Sequence, residues 1–148
     1  MGVYTRFKRT PDGFRQLVEL IETTPAARRK KMIDVGMQED PDYTQEALSY
    51  MMTFEDILAL PDNELAELLS KAAPRTVAFA IKATGDDVKT RFIKCAKAPA
   101  NGEIKDYLGA TCSLSETGGA QFKLIEIARL LEKKGFIKTK HIPEGHSG

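Results

Sequence analysis

Residues 40–62 read DPDYTQEALSYMMTFEDILALPD, and the way this stretch starts, breaks and restarts decides the fold. Asp40 offers a side-chain oxygen to the first free N–H groups of a helix, and Pro41 stands at the first helical position, where its missing N–H costs nothing. The spacing predicts a helix through Ala47, Leu48 and Met51. Directly after it, Met52, Thr53 and Phe54 form an apolar junction too short to fold by itself. The acidic pair Glu55-Asp56 follows, then Ile57, Leu58 and Leu60, before Pro61 and Asp62 end that run and open another helix. An apolar junction between two helical bodies must pack on one or both, so it either fuses them or lets them rearrange.

Upstream, Thr10 or Asp12 is placed to cap a helix in which Phe14, Leu17, Val18 and Ile21 recur at helical spacing, ending near Thr23. Thr24-Pro25 marks the next start. That helix carries the cluster Arg28, Arg29, Lys30 and Lys31. Four consecutive residues, each rotated by about 100°, encircle a helix and cannot make one flat basic face, so the run reads as a solvated turn. Met32, Ile33, Val35 and Met37 supply its apolar contacts, and Gly36 weakens it. Met1 to Thr10 reads as a frayed basic lead-in, with Tyr4 and Phe7 the residues able to dock.

Downstream, Asp62 or Asn63 caps a helix presenting Leu65, Leu68 and Leu69. Ala73-Pro74 starts another, in which Val77, Ala78, Phe79, Ala80 and Ile81 are apolar nearly all round, as a central helix must be. Past Gly85-Asp86, Val88, Phe92 and Ile93 point inward while Lys89, Arg91, Lys94 and Lys97 spread over an outer arc. Pro99 to Gly102 is a break, EIKDYLGA a short helix, and Thr111 to Gly119 a loop. The last helix is expected from about Gly119 to Lys134, stopped by a left-handed Gly135. Phe136 and Ile137 are expected to fold back, and HIPEGHSG to be a disordered tail. No alternating pattern of strand length occurs. The fold class is all-α, with eight or nine helices.

Composition narrows the function. At 148 residues the chain can build one core or two small helical subdomains. Charged residues make up 29% yet leave a formal net charge of +1, which argues against a dedicated polyanion binder. Aromatic residues are 7% with no Trp, so a base-stacking surface is poorly supplied. Cys95 and Cys112 show no metal-ligand spacing and read as reduced thiols. No secretory leader and no run of apolar residues long enough to span a bilayer is seen, so a cytoplasmic protein is expected, meeting membranes only through partners. Neighbouring carboxylates such as Glu55-Asp56 and Asp86-Asp87 point about 100° apart on a helix and cap better than they converge on a substrate. His141 and His146 lie in the expected tail, and SETGG lacks the lysine of a phosphate loop. No enzyme and no cofactor is expected.

The order acidic-Pro, amphipathic helix, Met-x-x-Phe-Glu-Asp, aliphatic-x-x-Leu-x-Asp resembles the C-terminal region of the bacterial flagellar motor switch protein FliG family. The likeness runs from Gly13 to Ile137, through GFRQLVELIETTPAARRKKMIDVGMQEDPD, TVAFAIKATGDDVKTRFIK and AQFKLIEIARLLEKKGFI. It implies an armadillo-like helical unit over 1–50, a hinge over 51–60 in which Met51, Met52, Thr53 and Phe54 fill the positions of a Met-Phe-x-Phe motif, with Met52 in place of its first Phe, and a C-terminal helical bundle over 61–148. It implies partners among the switch-complex proteins FliM and FliG, contact with the cytoplasmic loop of the stator, and self-association. Lys82 fills the position of a family lysine, and Asp106 falls where paired stator-facing carboxylates lie. Pro99 stands in place of the key arginine, Tyr107 replaces the second carboxylate, and the Thr111–Gly118 loop lacks Gly-Pro-x-Arg. Gly102 further weakens the presenting helix, by roughly 1 kcal/mol relative to Ala. The expectation is a shortened, divergent or accessory relative with weakened stator-contact charges. Two alternatives remain: a nucleic-acid-binding domain using Arg28 to Lys31 with Lys89, Arg91, Lys94 and Lys97, or a scaffold of this type used outside the flagellum.

Overall fold

Side-chain caps set where three of the described helices begin. Asp40 Oδ1 accepts the Tyr43 N–H at 3.2 Å, and Pro41 opens the helix behind it. Thr53 and Asp56 bond each other's backbone N–H groups, as do Ser113 and Glu116, which makes two capping boxes. In the computed structural model, described over residues 3–146, the chain forms ten helices and no strand among the described residues. The all-α expectation holds, with one or two more helices than the periodicity suggested. The chain divides into two compact units, 1–52 with 140–148, and 53–139. Each has its own logic.

The first unit contains α1 (Val3–Arg9), α2 (Gly13–Thr23), α3 (Ala26–Glu39) and α4 (Pro41–Ser49). Its core joins Phe14, Leu17, Val18 and Ile21 of α2 to Tyr43 and Ala47 of α4, with Tyr4 and Ile142 added from near the two ends of the chain. The expectation of a frayed lead-in is therefore corrected. Tyr4 is 2% exposed and its hydroxyl donates to the Met32 carbonyl. Met1 and Gly2 lie outside the described residues. Gly36 is the place where α3 admits this tyrosine, because a Cβ there would stand 2.4 Å from the Tyr4 ring and 2.5 Å from Thr44 Oγ1. A close approach, not a flaw in the helix, explains that glycine.

The expected disordered tail is also corrected. Ile142 is 1% exposed within this core, and Arg15 donates to its carbonyl at 2.9 Å. Residues 140–146 group with the first unit, not with the C-terminal bundle that the resemblance implies over 61–148. Ser147 and Gly148 lie outside the described residues. The failure has a simple physical origin: a short apolar segment that docks over a long sequence separation carries no periodicity of its own.

The second unit contains α5 (Phe54–Leu58), α6 (Asp62–Lys71), α7 (Pro74–Ile81), α8 (Asp86–Cys95), α9 (Ala100–Leu108) and α10 (Leu114–Lys133). As its all-round apolar sequence requires, α7 is central, packing on α9 and α10, with Val77 to Ile81 all buried. Ile57, Leu65, Leu68, Phe92, Ile104, Leu124 and Leu131 fill the space around it. The last helix starts at Leu114 rather than near Gly119, because the Ser113–Glu116 box nucleates it and the two glycines are carried inside. Gly135, at φ 89°, stops it as expected. Ile137 folds back and is buried, but Phe136 stays 53% exposed.

Candidate functional site

Two features singled out in the sequence carry any functional reading: the Met51–Phe54 junction and the charges around α9. The chain passes from the first unit to the second between Met52 and Thr53. On the first side, Met51 N–H returns to the Leu48 carbonyl at 3.2 Å, and the Met52 N–H donates to Glu22 Oε2 at 2.6 Å. Glu22 is 2% exposed at the end of α2. The position was readable, since Glu22 follows Val18 by four residues and so shares its apolar stripe, where a carboxylate needs a partner. On the second side, Thr53 N–H and Thr53 Oγ1 donate to Asp56 Oδ2 at 2.8 and 2.9 Å. Both peptide groups flanking the crossing are thus held by carboxylates. Met52 is buried, Phe54 half-buried.

Around α9, Lys82 is engaged within its own unit. Lys82 Nζ donates to the carbonyls of Leu108, at 2.6 Å, and Ala110. These are oxygens at and just past the end of α9, where the negative end of the helix favours a cation. Asp106 is exposed on α9 and Pro99 is exposed just before it. Tyr107 sits edge-on to Phe79 of α7, ring centroids 6.5 Å apart. Its ring therefore fastens α9 to α7 in addition to occupying surface.

Other cations follow the same pattern. Arg91, expected on a solvated outer arc, donates to the carbonyls of Leu58 (3.0 Å) and Leu60 and to Asp62 Oδ1 at 2.8 Å, which ties the α5–α6 turn to α8. Arg29 likewise donates to Ile21 O and Glu22 O at the end of α2, at 3.0 and 3.3 Å. The four-residue basic run is thus split between a helix-end clasp and its exposed neighbours Arg28, Lys30 and Lys31. Cys95 and Cys112 are free thiols, and burial followed by the nearby Asp62 charge raises the Cys95 pKa, which disfavours its nucleophilic thiolate form. Among the described residues no His, Cys, Asp and Glu group is arranged to hold a metal ion, and no helix is long and apolar enough to cross a membrane.

A helical scaffold of short helices, in which Arg29, Lys82 and Arg91 clasp carbonyls at helix ends, is the class this arrangement defines. The chain belongs to the FliG C-terminal domain family, whose model matches residues 37–138. It is 32% identical over 128 residues to the flagellar motor switch protein FliG of Thermotoga maritima, covering 84% of this chain and 38% of that relative. To the FliG of Helicobacter pylori it is 27% identical over 138 residues, covering 91% of this chain and 40% of the relative. The chain therefore spans about two fifths of the length of these curated relatives. Its fold is similar to the crystal structure of H. pylori FliG residues 86–343, with a TM-score of 0.61 and 27% identity, covering 85% of this chain and 60% of that one. Full-length Aquifex aeolicus FliG is similar too, with a TM-score of 0.52 at 27% identity, over 85% of this chain and 40% of that one.

Proposed function

We propose that this chain is a non-catalytic, rotor-side docking module of the flagellar switch, of the divergent or accessory kind, whose stator-contact charges are weakened. The observation that carries the reading is the family match across 37–138, which spans the junction and α5 to α10. What distinguishes it is the chemistry of α9: Lys82 is engaged with backbone carbonyls, Pro99 and Tyr107 stand where the family pattern has charges, and of the paired carboxylates Asp106 remains, exposed. A torque contact works through complementary charges near van der Waals distance, so a face stripped of them loses steering and register. Met51, Met52, Thr53 and Phe54 form the hinge in this reading. The partners are FliM, FliG and a second copy of the chain, with the stator loop as a weak one, at the cytoplasmic side of the basal body.

The nucleic-acid alternative is not favoured, because Arg29 and Arg91 are committed to carbonyls and the two basic groups fall in different units. The test is direct. The double substitution Pro99→Arg with Tyr107→Asp should strengthen binding of a peptide copied from a stator cytoplasmic loop at least tenfold in low salt. Unchanged affinity would overturn the weakened-surface reading. Recovery of FliM or FliG with the tagged chain from its native cell is expected, and recovery of neither would remove the switch assignment itself.

A further inference from the structure

The second crossing between the units, at Thr139 to Lys140, was not visible in the sequence. The described residues after it group with the first unit, although α10, before it, belongs to the second. Ile142 lies among Phe14, Leu17, Val18, Ile21, Tyr43 and Ala47. Its carbonyl is held by the buried Arg15 guanidinium at 2.9 Å. Lys140 donates to the Ser49 carbonyl at 3.2 Å, at the end of α4. His146 packs on Phe14 and Tyr50, ring centroids 4.5 and 5.1 Å apart, with Nε2 3.3 Å from Glu46.

The backbone of this segment is shaped for the role. Lys140 has φ 55°, a left-handed conformation that a lysine seldom adopts and that persists only where its surroundings hold it. Gly145, at φ 77°, makes a second sharp turn, and the His146 N–H returns to the Pro143 carbonyl at 3.1 Å. Two turns, a buried apolar plug and anchors to α2 and α4 describe a fastened strap.

We infer that residues 140–146 are a strap that completes the core of the first unit from the far end of the chain. Any rearrangement about the Met52–Thr53 junction must therefore move a second tether as well. Releasing the strap frees the junction and opens the aromatic face of Phe14, Tyr43 and Tyr50.

The experiment uses the full chain. Ile142→Asp and the milder Ile142→Ala should speed amide exchange in α2 and α4 at least tenfold while leaving α7 and α10 within twofold. Equal acceleration in both units, or none, would overturn the strap; should Ile142→Asp fail to fold, Ile142→Ala decides alone. A second variant carries a flexible Gly-Ser insertion between Thr139 and Lys140. Distances between spin labels on Gln45→Cys and Ser70→Cys, in a background with Cys95→Ser and Cys112→Ser, should spread over a wider range with the insertion, while α2 protection is retained. An unchanged distribution would show that the second crossing restrains nothing. The outcome does not depend on which partners the chain meets.

Discussion

The two units solve the same problem, closing a small helical core, by different means. The second is continuous in sequence, from 53 to 139, and surrounds the apolar α7 with mostly aliphatic side chains. Arg91 and Lys82 then clasp the free carbonyls at its helix ends. The first unit builds around aromatic rings, Phe14 standing edge-on to both Tyr43 and Tyr50 at 5.6 and 5.5 Å, and it is completed by residues from near both chain ends. Wide rings leave irregular gaps that the local helices do not fill, so distant segments are drawn in to exclude water. Sequence continuity and stability are therefore expected to be coupled: loss of the chain ends should unfold the first unit and spare the second.

Phe14→Ala tests this most severely. The ring touches Tyr43, Tyr50 and His146 at once, and its removal should cost about 3–5 kcal/mol, the usual range for a buried phenylalanine. The loss should be local. Three of the four tyrosines, Tyr4, Tyr43 and Tyr50, lie in the first unit, so the near-ultraviolet dichroism of tyrosine should melt before the helical signal. Coincident melting would mean that the units are one cooperative block and that the contrast is false.

A smaller effect should separate the clasps of the second unit. Arg91→Met leaves the carbonyls of Leu58 and Leu60 without their donor, and Lys82→Met does the same for Leu108 and Ala110. Each should cost roughly 1–3 kcal/mol, the penalty of a partly buried acceptor left unsatisfied. Urea denaturation read by helical dichroism measures it. An unchanged midpoint for Lys82→Met would return that charge to the surface and weaken the claim that α9 holds it.

How much of this could be read from the sequence follows from the range of the interactions involved. Asp40-Pro41, Ala73-Pro74 and Gly135 act within one turn, and their helices begin and end as read. Ser113-x-x-Glu116 is equally local and signalled the true start of α10, but Gly118-Gly119 outweighed it in the reading. The misses are long-range. Tyr4 over Gly36, Ile142 on α2 and Lys82 on the end of α9 join residues 26 or more positions apart, and no local pattern announces such pairs. At the candidate face around α9, Lys82, Asp106, Pro99 and Tyr107 were named through resemblance alone. That Lys82 works inward is a property of the packed helices.

The smallest expected effect distinguishes the units by acid. In the first, hydrogen bonding from Lys8, then from the Tyr43 N–H, lowers the Asp40 pKa below the ordinary carboxylate range. In the second, Glu116 is lowered by the Ser113 N–H and hydroxyl, with Arg75 adding a smaller share. A carboxyl group whose pKa is depressed on folding makes the unfolded chain the better proton acceptor. Its contribution is therefore complete above the unfolded carboxylate pKa and disappears as pH falls through that range to the lowered folded value. Asp40→Asn keeps a capping oxygen but gives up the charge, so it should flatten the acid limb of the first unit's stability and converge with the parent at the lowest pH. Glu116→Gln should do so for the second unit only. Both groups are solvent-facing, but Asp40 leans on an ion pair with Lys8, whereas the Glu116 carboxylate accepts the Ser113 backbone N–H. Molar salt should therefore erase more of the Asp40 effect than of the Glu116 effect, since screening acts on exposed charge pairs and little on short hydrogen bonds. Equal salt sensitivity in the pH-dependent exchange rates of α4 and α10 would show that the two caps work alike, and the contrast between the units would then rest on their cores alone.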